Sequence, residues 1–491
     1  MKNTELFPKI IPNWIGSQEK LSCSGETIAK YSPDTGDKIA SLTRSNQEDV
    51  DLAIEELNSS KDQWSRIPPV QRGYVLHKIC NLLEENQETM AEIVAIETGK
   101  SKSEALGETQ GAISLGRFFA GEGQRLYGKT TTSGQENKYA MTIRQPCGIA
   151  GLIIAANTPI ANVAWKVFPA LVCGNVAILK APEDTPAVAW YFAKLAYKAG
   201  LPDGTITVIQ GYGEECGEPI VRNKNVDVVS FTGSTRVGRL IAEICGKRLA
   251  KVSLELGGKN PFIVCDDADL DNAANWACLS AFSNAGQRCA AGSRIIVFES
   301  VYDEFKNIMI DKTERLSLGP SNDDDLGPVI NERQLDSMLN AIKKASSEGS
   351  KLIIGGNRIN SGKKKNGYYM SPTIIEDIKN DQEITKRELF GPIAQLYKAK
   401  GFDDAITIAN DSPYGLTACI HTNSFDRAYH FTQVINCGVA VVNAGTYGSE
   451  PHMPFGGTKA SGNGTREPGT EALDVYSELK DVYFNVNRDK V

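Results

Sequence analysis

Cys289 lies in Ser283-Asn284-Ala285-Gly286-Gln287-Arg288-Cys289-Ala290-Ala291-Gly292, among small and polar residues that leave room around a side chain. An apolar strand-like run, 295–298, follows at once. A cysteine attacks a carbonyl carbon through its thiolate, and the attack needs a donor for the oxyanion it creates. Upstream, Leu254-Glu255-Leu256-Gly257-Gly258-Lys259-Asn260-Pro261 sets a carboxylate between two leucines and follows it with a double-glycine turn. Glu255 is the candidate base. A lone cysteine is more often a small buried hydrophobe, so the weight rests on the company Cys289 keeps.

The elements that must position these residues are readable in outline. At 491 residues the chain exceeds one ordinary core and predicts two or three domains. Apolar residues at 41%, charged ones at 23% and Gly at 45 positions describe a globular enzyme with many βα turns. A formal charge of -7 argues against a nucleic-acid partner, which would need clustered Lys and Arg. No apolar run is long enough to span a bilayer, and Met1-Lys2-Asn3-Thr4-Glu5 lacks the apolar core of a signal peptide. The expectation is a cytoplasmic protein with no membrane partner. Eleven cysteines without a CxxC pair fit a reducing compartment, and His77, His421, His430 and His452 make no metal-ligand spacing. No metal site is expected.

Residues 1–45 read as an extended arm with small strands. Apolar spacing of three and four predicts helices over 47–60, 69–99 and 102–126, and the Thr-rich stretch 128–146 predicts a projecting β-hairpin. From Cys147 the rhythm becomes βαβ, with strands at 149–155, 175–180, 205–210 and 226–231 and helices at 162–173 and 186–199. Such alternation implies a parallel sheet with ligands at the carboxyl ends of its strands. Two turns compete to cradle phosphate. Gly211-Tyr212-Gly213-Glu214-Glu215-Cys216-Gly217 places its third glycine one residue late and brings in two acids. Thr232-Gly233-Ser234-Thr235 offers close backbone approach at Gly233 and a hydroxyl at Ser234 beside free N–H groups of a helix start, and is preferred. A second α/β region begins after Asn260, with strands at 261–265, 294–298, 351–356 and 388–398 and helices at 271–282 and 301–316. The terminal segment, 473–484, is expected to pair with another strand, in a neighbouring subunit.

The pair Glu-Leu-Gly-Gly-Lys at 255–259 and Gly-Gln-Arg-Cys at 286–289, in this order and separation, resembles the aldehyde dehydrogenase superfamily. The likeness covers nearly the whole chain. It implies an α/β fold with a Rossmann-type cofactor domain (1–127 and 148–257), a second α/β catalytic domain (258–445), an oligomerisation element (128–147 and 470–491) and a substrate-mouth loop (446–469). It makes Cys289 the nucleophile and Glu255 the base. Asn157 would share the oxyanion with the Cys289 N–H, and Lys166, counted with them among the catalytic residues, would sit with Trp165 on the helix past the substrate tunnel. Lys180 and Glu183 would hold the adenosine ribose, favouring NAD while leaving NADP possible, and Glu388 and Phe390 would place the nicotinamide ribose and ring. Pro454-Phe455-Gly456-Gly457 would form the substrate mouth, and Glu467 would join a proton relay. Thr158, Trp165, Arg288 and Phe455 make up the expected pocket, and Thr158, Glu450 and His452 hint at a polar, hydroxylated aldehyde.

Departures from the pattern are informative. Ala155, Ala156 and Thr158 stand where the family often has Pro-Trp before and an aromatic after the asparagine. Trp165 and Ser283 stand where succinate-semialdehyde members carry arginines, which disfavours a succinate-like substrate while leaving Arg288 able to bind an anion. Thr465 adds a residue before Arg466-Glu467. The resemblance implies NAD-dependent oxidation of an aldehyde to an acid by a homodimer or homotetramer, through a hemithioacetal and a thioester hydrolysed by glutamate-activated water. One rival is a CoA-acylating relative, against which Glu255 speaks. A cysteine hydrolase or amidotransferase would need a histidine partner in a recognisable motif. The third rival is a catalytically silent dinucleotide-binding or structural member.

Overall fold

The structure, a computed structural model, describes residues 6–490; the first five residues of the expected arm and Val491 lie outside it. Two seven-stranded sheets dominate. The first runs, in space, Lys251–Glu255, Val228–Thr232, Ile149–Ile153, Val176–Lys180, Ile206–Ile209, Asn13–Ile15, Gln18–Lys20. The five strands from Lys251–Glu255 to Ile206–Ile209 are parallel, and the two from the arm add antiparallel. Val176–Lys180 and Ile149–Ile153 are buried at every position, as strands covered by helices on both faces must be. The strand order reverses between Ile149–Ile153 and Val228–Thr232, and a crevice opens beyond the carboxyl ends of strands at such a reversal.

The second sheet takes the order Lys351–Ile354, Thr373–Glu376, Ile393–Ala399, Arg294–Phe298, Pro261–Val264, Thr417–His421, Val439–Val442, all parallel except the first. Only Leu256 to Asn260 separates the last strand of the first sheet from the first strand of the second.

Local chemistry explains several departures from the sequence expectation. The helix expected over 69–99 is two, Pro69–Glu85 and Gln87–Thr98. Asn86 between them has φ -111 and ψ 17, and its side-chain amide donates to Leu82 O at 2.7 Å, an alternative to helix continuation that Asn offers readily. The first helix runs longer than expected, Gln47–Arg66, from a capping box between Asn46 and Asp49. The strand expected from 388 starts at Ile393, because Phe390 turns left-handed (φ 57) and Pro392 has no N–H to give a ladder. Helices Glu332–Ser347, Phe402–Asn410 and Phe425–Val434 were not anticipated.

The hairpin is present as Thr130–Thr132 and Lys138–Pro146. The terminal strand Ser477–Asn485 pairs antiparallel with Lys138–Pro146 of the same chain over nine residue pairs. Among the described residues no helix is long and apolar enough to cross a membrane, and no cluster of His, Cys, Asp and Glu could hold a metal.

Candidate active site

Helix Leu270–Phe282 delivers the chain to the cysteine loop, and strand Arg294–Phe298 carries it away. Between them Asn284, Ala285 and Gly286 all adopt left-handed φ (54, 53 and 67). For Asn and Ala this costs about 1–2 kcal/mol each. Hydrogen bonds offset it: the Asn284 side chain donates to Asn157 O and Gln287 O, both at 3.2 Å. Beyond the turn, Asn260 Nδ2 donates to Cys289 O and to Ala291 O at 2.8 Å each, and Thr446 Oγ1 to Ala290 O at 2.6 Å. The double glycine of 257–258 is required by contact. A side chain on Gly258 would overlap the Cys289 carbonyl oxygen, and one on Gly257 the Glu388 carboxylate.

Asn157 follows strand Ile149–Ile153, just before helix Pro159–Val172. Its side-chain amide donates to Gln287 O at 2.9 Å, which aims it at the cysteine loop and leaves one amide hydrogen for an incoming oxygen. Two residues that sequence reasoning missed hold this corner. Lys100 donates to Asn157 O at 2.9 Å and pairs with Glu108 at 2.7 Å, and Glu108 accepts the Ile160 and Ala161 N–H groups at the helix start. Lys100 and Glu108 are both buried, and nothing in the sequence distinguishes them from surface charges. Asn260 did carry a signal, since it adjoins the glycine turn.

A cavity of about 580 Å³ opens beside Cys289, and Asn157, Thr158, Trp165, Arg288 and Phe455 line it with Tyr447. The four expected pocket residues thus share one wall with the nucleophile. Trp165 and Phe455 meet edge to face, ring centres 5.2 Å apart. Neighbouring Lys166 faces elsewhere, as successive residues on a helix must. Its Nζ donates to Ser230 Oγ at 2.6 Å and to Glu467 Oε2 at 2.9 Å, all fully buried. Ser230 and Ser253 donate to the other Glu467 oxygen at 2.7 and 2.9 Å.

Glu255 ends strand Lys251–Glu255, and neither of its buried carboxylate oxygens has a hydrogen-bond partner among the described residues. Burial, and then the charge of Glu467, push its carboxyl well above the usual range, against Lys166 and Arg466. Burial also pushes the Cys289 thiol up to about 12, with Glu388 and Glu255 adding to it and Arg288 opposing.

The residues expected to hold a cofactor follow the strand ends. Lys180 closes strand Val176–Lys180 and pairs with Glu183 at 3.0 Å. Burial raises the Glu183 carboxyl, but Lys180 and Arg333 outweigh it and hold it low, so Glu183 stays an acceptor. Ser234 caps helix Thr235–Lys247, its Oγ accepting from Val237 N at 3.4 Å, and Gly233 precedes it with N–H donating to Glu255 O at 3.0 Å. The rival turn is a widened helical turn, Gly213–Gly217, with Glu215 tied to Arg44 at 2.8 Å. Glu388 accepts the Gly258 N–H at 3.0 Å, and burial pushes it up to about 7. Phe390 lies in the same loop, whose Gly391 carbonyl packs so closely on Gly286 that no side chain fits there. An acid for one ribose, a helix start for the pyrophosphate and an acid for a second ribose, leading to Cys289, fit a dinucleotide.

The family model for the aldehyde dehydrogenase family matches residues 21–482. The chain belongs to the aldehyde dehydrogenase family. An alpha-ketoglutaric semialdehyde dehydrogenase of Bacillus subtilis (strain 168) is 36% identical to it over 474 residues, covering 96% of this chain and 97% of that one. Retinaldehyde dehydrogenase 3 of Mus musculus is 36% identical over 491 residues, covering 98% and 94%. A crystal structure of betaine aldehyde dehydrogenase from Staphylococcus aureus in complex with NAD+ superposes with a TM-score of 0.95 at 30% identity, covering 97% and 95%. The fold is that of these aldehyde dehydrogenases, and the protein is an NAD(P)-dependent enzyme that oxidises an aldehyde to its acid.

Proposed function

We propose that Cys289 attacks the aldehyde carbon and that Glu255 is the base for the reaction. With its thiol held near 12, Cys289 is protonated at neutral pH, so attack requires a base to take the proton. Asn157 Nδ2 and the Cys289 N–H receive the oxygen as it becomes negative. NAD, when bound, accepts the hydride that leaves the hemithioacetal carbon. Glu255, having released the thiol proton to solvent, then takes a proton from water, which opens the thioester to the acid and returns the Cys289 sulfur. The observation that carries this is a buried carboxylate with both oxygens unpartnered, close enough to raise the Cys289 thiol. Such a group has no structural task and a high affinity for a proton.

Lys180 and Glu183 would hold the adenosine ribose, Gly233 and Ser234 the pyrophosphate, and Glu388 and Phe390 the nicotinamide end. Glu183 favours NAD, since a carboxylate there repels a 2′-phosphate. Lys166 is a positioning residue acting through Glu467. The first sheet with its helices (1–127 and 148–257) would form the cofactor domain, 258–445 the catalytic domain and 446–469 the substrate mouth. The hairpin sheet of 128–147 and 470–491 exposes Tyr139, Leu479, Tyr483 and Phe484, which supports a homo-oligomeric contact there. Free cysteines throughout the described residues support a cytoplasmic setting.

The test is rapid mixing of aldehyde and NAD with wild type and Glu255→Gln, with and without CoA. A slowed NADH burst as well as slow turnover in the variant, and wild-type turnover without CoA, are expected. Turnover only with CoA, or an unslowed variant, would overturn the role given to Glu255.

A further inference from the structure

The relatives bear names for aldehydes as different as a keto-acid semialdehyde and retinaldehyde at the same identity, so the selecting feature must be sought on this chain's own cavity wall. Its charged groups can be sorted by what they already bind. Glu108 holds two helix N–H groups and Lys100, and Lys100 in turn holds Asn157 O. Glu104 accepts the Asn284 N–H at 3.2 Å. Glu450 is largely exposed at the mouth, 3.5 Å from His452. Thr158 Oγ1 accepts from Asn162 at 3.0 Å.

Arg288 differs. It adjoins the nucleophile, its side chain is 29% exposed, and its guanidinium donates no hydrogen bond to any described residue. Its nearest carboxylate, Glu104, lies 3.8 Å from Nη2, beyond hydrogen-bond length. Nε is buried and unpartnered. Its Cζ lies over the Tyr447 ring, 5.0 Å from the centre, a cation–π contact, and with Nε enclosed it is the Nη end of the group that reaches the cavity. A guanidinium carries five N–H donors in a rigid fork, and burying that fork unused is costly unless a ligand supplies the acceptors. The two Nη groups of that end match the two oxygens of a carboxylate end-on, a geometry a single-point cation such as Lys does not offer.

We infer that Arg288 anchors the substrate, and that the substrate class is an aldehyde bearing a carboxylate, held by the guanidinium fork while Cys289 meets the aldehyde end. This rests on the aldehyde-oxidising reading above and deepens it.

The experiment compares kcat/KM for straight-chain semialdehydes with that for their methyl esters, length for length, in wild type, Arg288→Met and Arg288→Lys. The wild type is expected to prefer the free acid by roughly ten- to a hundredfold, chiefly in KM, as one charge-assisted pair is worth about that. Arg288→Met should bring the ratio toward one, and Arg288→Lys should recover only part of it. A wild type that turns over esters as well as acids, or a variant that keeps the preference, would overturn the inference while leaving aldehyde oxidation standing. A second measurement needs no turnover: a straight-chain dicarboxylate should slow alkylation of Cys289, followed by peptide mass spectrometry, whereas its dimethyl ester should not. Equal protection by both, or by neither, would overturn the anchor even if the variants failed to fold.

Discussion

Glu467→Gln tests the electrostatics of the base directly. Burial raises the Glu255 carboxyl first, the negative charge of Glu467 raises it further, and Lys166 and Arg466 oppose. The substitution removes that like charge; with the glutamine oxygen accepting from Lys166, its NH2 takes the other position, where the hydroxyls of Ser230 and Ser253 can turn to accept. The whole group is buried, so solvent screens it little. A unit charge several ångströms away at an effective dielectric of about 20 is worth roughly 2 kcal/mol, or roughly 1.5 pH units. The sign follows from the chemistry. A carboxylate base works only when ionised, so the rate falls as pH drops through its pKa. Removing a neighbouring negative charge stabilises the ionised form, and the acid limb of the kcat profile should move to lower pH by roughly 1–2 units. Lys166→Met removes a positive charge and should move the limb the other way. The assay is kcat against pH at saturating aldehyde and NAD, with the NADH burst confirming that thioester hydrolysis is the step read. A Glu467→Gln limb that stays in place or rises, or two variants that move together, would refute the coupling.

Three further outcomes are expected. Lys100→Met strands the buried Glu108 carboxylate and releases Asn157 O; it should destabilise by about 3–5 kcal/mol and lower kcat, while Lys100→Met/Glu108→Gln regains much of the Tm. An unchanged Tm in the single variant would refute this. Gly258→Ala drives a methyl group into the Cys289 carbonyl and should lower kcat at least about a hundredfold with circular dichroism intact. Near-native activity there would show that the cysteine loop tolerates displacement. Glu183→Gln removes the carboxylate that faces a 2′-phosphate and should raise the NADP-to-NAD ratio of kcat/KM about tenfold; an unaltered ratio would place cofactor choice elsewhere.

How far the sequence reaches depends on the range of the interaction concerned. Strands such as Val176–Lys180 are legible because burial on both faces demands an unbroken apolar run, and the preference for Gly233-Ser234 over Gly211-Gly213 follows from the acids in the latter, one of which is bound to Arg44. The pocket wall of Thr158, Trp165, Arg288 and Phe455 came from matching motifs position by position. What stayed hidden depends on partners distant in sequence. Lys100 and Glu108 look like two helix-surface charges until they meet the loop of Asn157. Lys166 carries the same motif as Trp165, yet one residue of helix rotation turns it from the cavity to Glu467, hundreds of residues later. The break at Asn86 turns on one side-chain amide competing with the backbone, which periodicity cannot register.

The short link between the sheets accounts for why these separate pieces act together. Glu255 is the last residue of an edge strand in the first sheet, and Pro261 the first of a central strand in the second. The residues between make contacts to both sides. Gly257 admits the Glu388 carboxylate, Gly258 donates its N–H to that carboxylate and admits the Cys289 carbonyl, and Asn260 grips the cysteine loop while its own oxygen accepts the Thr417 N–H of the second sheet. The link is therefore a gauge between a base fixed on one sheet and a nucleophile fixed on the other. A shift of the sheets would change the separation of Glu255 and Cys289 unless the link moved with them, and in it Gly257 and Gly258 are held by contact and the Asn260 side chain by three hydrogen bonds. Glu388, the acid proposed for the nicotinamide side, is gripped by the same link. Placing Glu388, Glu255 and Cys289 against one short segment lets a single set of contacts set their separations, and it predicts that substitutions in 257–260 harm chemistry more than their size suggests.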